Sequence, residues 1–317
     1  MKKAISFILA AALSASLMGM TANADETEAD KKFTIGFSDF SLTAEYQAKL
    51  RDKILEYAKE KYGDALKFVV LDGESDSDTQ NSGIDNLINQ KVDAIIMVPF
   101  DAQQQIPAVQ AAVDAEIPMF EVCLQTADDG LRTCFVGSDD TKSGEMAMEY
   151  LAKQLDGKGN VVYLHGPTGQ DSEIKRHEGA NKVLDKNPDM KLVAEKVCNW
   201  DRAEAMTAIE NVLQSGTEVN AIFSENDEMA LGAFAAIEGT ENEGKILISG
   251  VDGISDSLTA IKEGDMACTS FQDAGLQAST VVDAVWNYLN GEKIEDYYEV
   301  PYQLITADNV DDDYWTK

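Results

Sequence analysis

With 57 Asp and Glu against 26 Lys and Arg, this 317-residue chain carries a formal charge of −31 and is a poor partner for nucleic acid or an anionic membrane surface. Its length exceeds what one hydrophobic core usually organises and predicts two domains of ~150 residues each. The acidic surplus reads as a well-solvated surface, with Asp128-Asp129 and the run at 311–313 falling in loops or near the end of the chain.

In chain order, Met1-Lys2-Lys3 opens a positive segment, Ala4 to Met20 is apolar and small, and "ANA" at 22–24 offers a signal-peptidase site. Residues 1–24 are therefore expected to be a cleaved signal peptide, since the apolar run falls short of the ~20 residues a membrane helix needs. "SLMGM" has Met20 where a lipid-attachment box would have cysteine, so the expected product is periplasmic or secreted and unanchored.

Short apolar runs then alternate with amphipathic stretches. Strands are expected at "FTIGF" (33–37), "LKFVVL" (66–71), "AIIMV" (94–98), "PMFEV" (118–122), "NVVYL" (160–164), "MKLVAEKV" (190–197), "AIF" (221–223), "KILISGV" (245–251) and "MACTSF" (266–271). Helical spacing marks "EYQAKLRDKILEYAKEKY", "SGEMAMEYLAKQL" and "RAEAMTAIENVLQSG". The alternation predicts an α/β fold of two similar, doubly wound parallel-sheet domains. Near "FVGSDDTKSG" (135–144) the first series ends and a second begins, with no flexible linker between them.

Ligands of open α/β sheets bind at strand carboxyl ends. Those ends read "SDFSLTAEY", "CLQTADD", "HGPTGQDSE", "CNWDR", "SENDE", "GVDG" and "FQD": polar, with aromatics interspersed, as a neutral, hydroxyl-rich ligand requires. Trp200 stands at such a junction, before the expected N-cap Asp201, and either packs as core or offers a flat face to a ligand. Asp252 and Asn226 read as helix caps, as ligand groups, or as both; Tyr46 reads as cleft wall or helix packing; Trp286, at helical spacing, reads as core.

"FSENDEMALGA" (223–233), "GVDG" (250–253) and "NWDRAEA" resemble the type I periplasmic binding proteins of sugar transport, nearest the glucose/galactose- and ribose-binding proteins, from about Phe33 onward. The resemblance implies two lobes joined by a three-segment hinge: 33–138 plus 273–298, and 139–272 plus 299–317. It implies closure on a monosaccharide, delivery to a membrane ABC permease, no cofactor and no catalysis. By position it places Trp200 and Tyr46 as aromatic walls and Asn226, Asp252 and Gln272 as hydroxyl anchors. Asp171, with Lys175 or Arg176, supplies an acid and a base. Ala44 and Cys123-Leu124 replace polar anchors of the family, so a deoxy or differently substituted sugar, or a polyol, fits better than galactose or ribose. The calcium loop of the galactose-binding member is missing, because "LDGKGNVV" is too short for it.

Rival motifs fail on their chemistry. "GTENEGKI" lacks the hydroxyl residue of a phosphate loop and follows a helix, and "DGESDSDTQ" lacks the Gly and Glu of a calcium loop. Only His165 and His177 are imidazoles, and no Cys-x-x-Cys occurs, so spacing gives no metal signature. Cys123, Cys134, Cys198 and Cys268 read as a disulfide framework or as buried thiols. A ligand-sensing subunit for a membrane receptor, or a binder of another small solute such as an amino acid, uses the same fold and cleft. An acidic exported chain does not suit a DNA-binding repressor, and no carboxylate pair stands out as a glycosidase's.

Overall fold

Buried on both faces by helices, the strands of this chain are nearly continuous apolar runs, as parallel sheets demand. The computed structural model describes residues 31–312; the signal-peptide reading at 1–24 and the last five residues lie outside them. The first lobe begins β1 (Phe33–Asp39), α1 (Glu45–Tyr62), β2 (Leu66–Asp72), α2 (Ser77–Gln90), β3 (Ala94–Val98), α3 (Ile106–Asp114), β4 (Met119–Val122) and β5 (Cys134–Gly137). The second runs through α4 (Asp140–Gln154), β6 (Lys158–His165), α5 (Asp171–Lys186), β7 (Asp189–Val197), α6 (Arg202–Gln214), β8 (Ala221–Ser224), α7 (Asp227–Ile237), β9 (Leu247–Asp252), α8 (Ser255–Glu263) and β10 (Cys268–Phe271). The chain then returns to the first lobe with α9 (Ala274–Leu289) and β11 (Tyr297–Glu299), and ends in the second with β12 (Gln303–Thr306).

The two sheets have matching orders, β11-β5-β4-β3-β1-β2 and β12-β10-β9-β8-β6-β7. Both are doubly wound, with switch points at β1/β3 and β6/β8, where a ligand crevice is expected. All pairings are parallel except β10 with β12. The chain crosses between sheets three times, after β5, after β10 and after β11. Glu299 still pairs with Gly137 in β11, at the last crossing.

Each lobe carries its own core. Ile35, Phe37, Ile96, Val98, Phe120 and α9's Val281 and Val282 are fully buried in the first. Val162, Leu164, Ile222, Ile248 and Met229 are fully buried in the second. Each such side chain contributes about 1.5–3 kcal/mol of hydrophobic stabilisation. Trp286 stacks on Tyr62, with ring centroids 4.4 Å apart, and meets Phe33 edge-on, so it is core as its spacing suggested. All four cysteines are buried free thiols, which answers the open choice between thiols and disulfides.

Candidate ligand-binding cleft

The carboxyl ends of both sheets face one cavity of about 510 Å³. From the first lobe it takes Phe40 and Ser41 after β1, Tyr46 and Gln47 on α1, Ser75 after β2, and Cys123 and Leu124 after β4. The second lobe adds Gln170, Arg176, Trp200, Asn226, Asp252 and Gln272, together with rim residues Asp201, Arg202 and Glu228. The lobes meet beside it through the amide of Ala102, which donates to the Gly169 carbonyl at 3.0 Å.

Trp200 is the only residue packed against both main cores among those already named. Asn199 and Trp200 both adopt positive φ (51° and 62°), a strained choice for a bulky side chain. Asp201 then caps α6 by accepting from the Glu204 amide at 2.8 Å. The indole Nε1 donates to Gln170 Oε1 at 2.7 Å, and the ring lies so close over Gly166 that a Cβ there would come within 2.0 Å of it. The Arg176 guanidinium sits 5.8 Å from the ring centroid. The sequence thus placed Trp200 at the right junction; the glutamine and glycine that hold it were not singled out.

Strain collects here. Of nine non-glycine residues with positive φ among those described, five line this cavity: Ser75, Cys123, Asn199, Trp200 and Asp252. Each costs on the order of 1–3 kcal/mol and persists where the surroundings enforce it, as at ligand clamps. The cavity also borders two buried polar atoms without a protein partner, Gln47 Oε1 and Gln170 Nε2. Leaving such an atom unpaired costs about 1–3 kcal/mol.

The polar anchors are each fixed by protein contacts. Asn226 caps α7 through Oδ1, which accepts from the Met229 amide at 2.9 Å, so cap and cavity wall are one residue. Asp252 is no cap: Asp227 Oδ2 takes the amides of Gly253 and Ile254 (2.7 and 3.0 Å) and the Ser257 hydroxyl, while Oδ1 takes the Thr269 hydroxyl. That leaves Asp252 to accept from Gln272 Nε2 at 2.9 Å. Burial pushes its pKa well up, opposed by the nearby Arg176 charge. Gln272 reaches back to the first lobe, where the Cys123 thiol lies 3.7 Å from its Oε1.

Arg176 lines the cavity but its acid partner is not Asp171. Its Nε donates to Asp140 at 2.7 Å, Nη1 to the Glu225 carbonyl at 2.5 Å and Nη2 to the Tyr302 hydroxyl at 3.1 Å, and Tyr302 in turn donates to Asp140. Asp171 stands outside the lining, paired with Lys175 at 2.9 Å. Helical geometry accounts for this placement: Ser172 and Arg176, four apart, share the cavity face of α5, while Asp171 and Lys175 share the next one. Tyr46 lines the cavity yet is buried in the first core, its hydroxyl donating to Gln277 at 3.2 Å. Phe40, beside Phe100, adds an aromatic the sequence reading passed over. At the rim, Arg202 grips Glu228 with two bonds (2.9 and 2.7 Å) and Asp256 with a third.

A cleft between two such lobes, walled by aromatics and polar strand ends, defines a class of solute-binding proteins. The chain belongs to the periplasmic binding protein family, whose domain description matches residues 35–293. It is 38% identical to a xylitol-binding protein of Mycolicibacterium smegmatis over 78% of this chain and 70% of that one. With the ribose import binding protein of Bacillus subtilis it shares 32% identity over 96% and 99% of the two chains. Among solved structures, an ABC transporter solute-binding protein of Bacillus halodurans with bound myo-inositol superposes with a TM-score of 0.86 at 33% identity, covering 90% and 98%. One from Actinobacillus succinogenes with bound D-allose gives 0.81 at 31% identity, covering 88% and 99%.

Proposed function

We propose that this protein is the exported substrate-binding component of an ABC importer and closes on a neutral monosaccharide or cyclic polyol. Residues 33–138 with 273–299 form one lobe and the remainder from 139 the other, and the three crossings between sheets act as the hinge. Ligand contacts to both lobes shift the open–closed equilibrium by their differential affinity. The closed form, acting as a monomer in the periplasm or outside the cell, is what the membrane permease reads; no bond of the ligand is broken.

Concentration of strained backbone around the cavity carries this reading. Trp200 offers its face to the ring's C–H groups. Asn226, Asp252, Gln272 and the remaining N–H donors of Arg176 take hydroxyls, and Gln47 and Gln170 gain partners they lack in the protein. A neutral ligand is favoured because the cationic groups are already committed: Arg176 to Asp140 and Tyr302, Arg202 to Glu228 and Asp256. An amino acid would need one of those guanidinium groups for its carboxylate. The relatives that bind xylitol, ribose, myo-inositol and allose set the panel to test.

The test is a tryptophan-fluorescence titration against monosaccharides, inositols, linear polyols and amino acids. A saturable response to one neutral polyhydroxy compound, lost in Trp200→Ala and kept in Trp286→Phe, is expected. A response confined to amino acids, or turnover of the bound sugar, would overturn the proposal.

A further inference from the structure

The two histidines of the chain converge away from the ligand cavity. His165 ends β6, His177 lies two turns into α5 and Glu195 is on the neighbouring strand β7. Glu195 Oε2 is 3.0 Å from His165 Nε2 and 3.2 Å from His177 Nε2, and one ligand atom from each residue falls within 4.8 Å of the others. None of the three lines the cleft.

We infer that His165, His177 and Glu195 form a binding site for a divalent transition metal of the zinc type. Four-coordinate zinc holds imidazole nitrogen and carboxylate oxygen at about 2.0–2.2 Å, which sets tetrahedral neighbours roughly 3.3 Å apart. The two measured separations are close to that. Two imidazoles and one carboxylate are the donor set that suits zinc and its neighbours rather than magnesium or calcium.

The supporting contacts match what a metal-bound imidazole requires. His165 Nδ1 lies 3.1 Å from Glu173 Oε1 and Nε2 lies 3.0 Å from Glu195 Oε2, so with a metal on Nε2 the Nδ1–H would donate to Glu173. Rings constrain both imidazoles: Tyr163 packs on His165 and His177 (4.4 and 5.1 Å), and the two imidazoles meet at 4.9 Å. Asn181 Nδ2, 3.0 Å from His177 Nε2, is the donor a metal would displace. His165 is buried, whereas the side chains of His177 and Glu195 are 32% and 46% exposed, which gives the ion a path from solvent and leaves its fourth position to water. Glu173 also accepts from the Gly169 amide at 3.4 Å, so the site adjoins the 166–170 loop that holds Trp200.

The test is calorimetric titration of the full untagged chain, stripped with a chelator, with Zn²⁺ near neutral pH, repeated with Co²⁺ for its visible absorption. One-to-one binding with a Kd of ~1 μM or below and a tetrahedral Co²⁺ spectrum are expected. His177→Ala and Glu195→Gln, both on partly exposed side chains, should abolish it while the metal-free melting temperature stays within a few degrees. Glu173→Gln should weaken it about 10–100-fold. No saturable binding by the native chain, or native-like binding by the His177→Ala, Glu195→Gln double variant, would overturn the assignment.

Discussion

The two walls of the cleft are built differently. The first lobe presents Phe40, Ala44, Tyr46, Cys123 and Leu124, with Gln47 and small hydroxyl side chains between them. The second presents Arg176, Trp200, Asn226, Asp252 and Gln272, all five held by hydrogen bonds of 2.9 Å or less, Asp252 and Gln272 by one to each other. One wall interleaves apolar side chains with hydroxyls, Gln47 and, at the rim, Glu45; the other is polar and tied by hydrogen bonds. The sheets beneath them have the same strand order, so the difference lies in the strand-end residues and not in the scaffold.

Arg176 gives the largest effect expected. It is 3% exposed and joins Asp140, which follows the first crossing, to Tyr302 in the third and to the end of β8. Replacing it with Ala leaves Asp140 buried and uncompensated and should cost about 3–5 kcal/mol of stability, read by urea unfolding. A loss below ~1 kcal/mol would mean that the polar wall is not preorganised by this network. Next comes Trp200→Ala, expected to weaken ligand binding by about 2 kcal/mol or more, as hot-spot aromatics do. Phe40→Ala on the opposite wall should cost less. If the order is reversed, the first lobe's wall carries recognition and the comparison fails.

Much of this was legible beforehand, for identifiable reasons. α1 runs over Glu45–Tyr62, the stretch its helical spacing marked, because eighteen residues sample the 3.6 period many times. The buried strand β3 announced itself as an unbroken apolar run and β9 as a nearly continuous one. β5, β11 and β12 did not: three or four residues carry no period, and β11 is half-exposed at a sheet edge. Trp200, Asn226, Asp252 and Gln272 were singled out because strand ends are where ligands bind, and the fold brings all four to one cavity. Asp171 lies outside the cavity lining while Arg176 is in it, because a shift of one residue on a helix turns a side chain by about 100°, which spacing relative to a motif does not fix. Gln47, Gln170, Asp227 and Asp140 carried no signal, since their importance comes from partners 26 to 76 residues away.

The two glutamines sharpen the contrast on a smaller scale. Gln170 Oε1 holds the indole of Trp200 while its Nε2 lacks a partner; Gln47 lies 3.9 Å from a thiol and its Oε1 lacks one. Gln170→Ala should therefore weaken binding by about 1–3 kcal/mol, combining a lost ligand bond with a loosened ring. Gln47→Leu should cost ~1 kcal/mol, because only its ligand bond is removed. Equal losses in the two variants would indicate that Gln170 does not position Trp200. A Gln47→Leu protein that binds as well as the native one would show that Gln47 stays unpaired in the complex.

The smallest effect concerns pH. Glu45, on the first lobe's rim, has its pKa raised to about 7 by burial, by a hydrogen bond with Glu228 and by the charges of Glu228 and Asp256 across the cleft, with Arg202 opposing. Because Glu228 and Asp256 face it from the second lobe, a Glu45 carboxyl raised by their approach favours closure when protonated. Its contribution is fully present below the ordinary value of 4.5, declines as pH rises towards 7 and is absent above that. Ligand affinity should accordingly fall severalfold between pH 5 and 8, a modest change because Glu45 is exposed and solvent screens it. Glu45→Gln should flatten that slope by keeping the affinity of the protonated form. Should the variant retain the native slope, the pH dependence belongs to the polar wall instead, where buried Asp252 is the group to test.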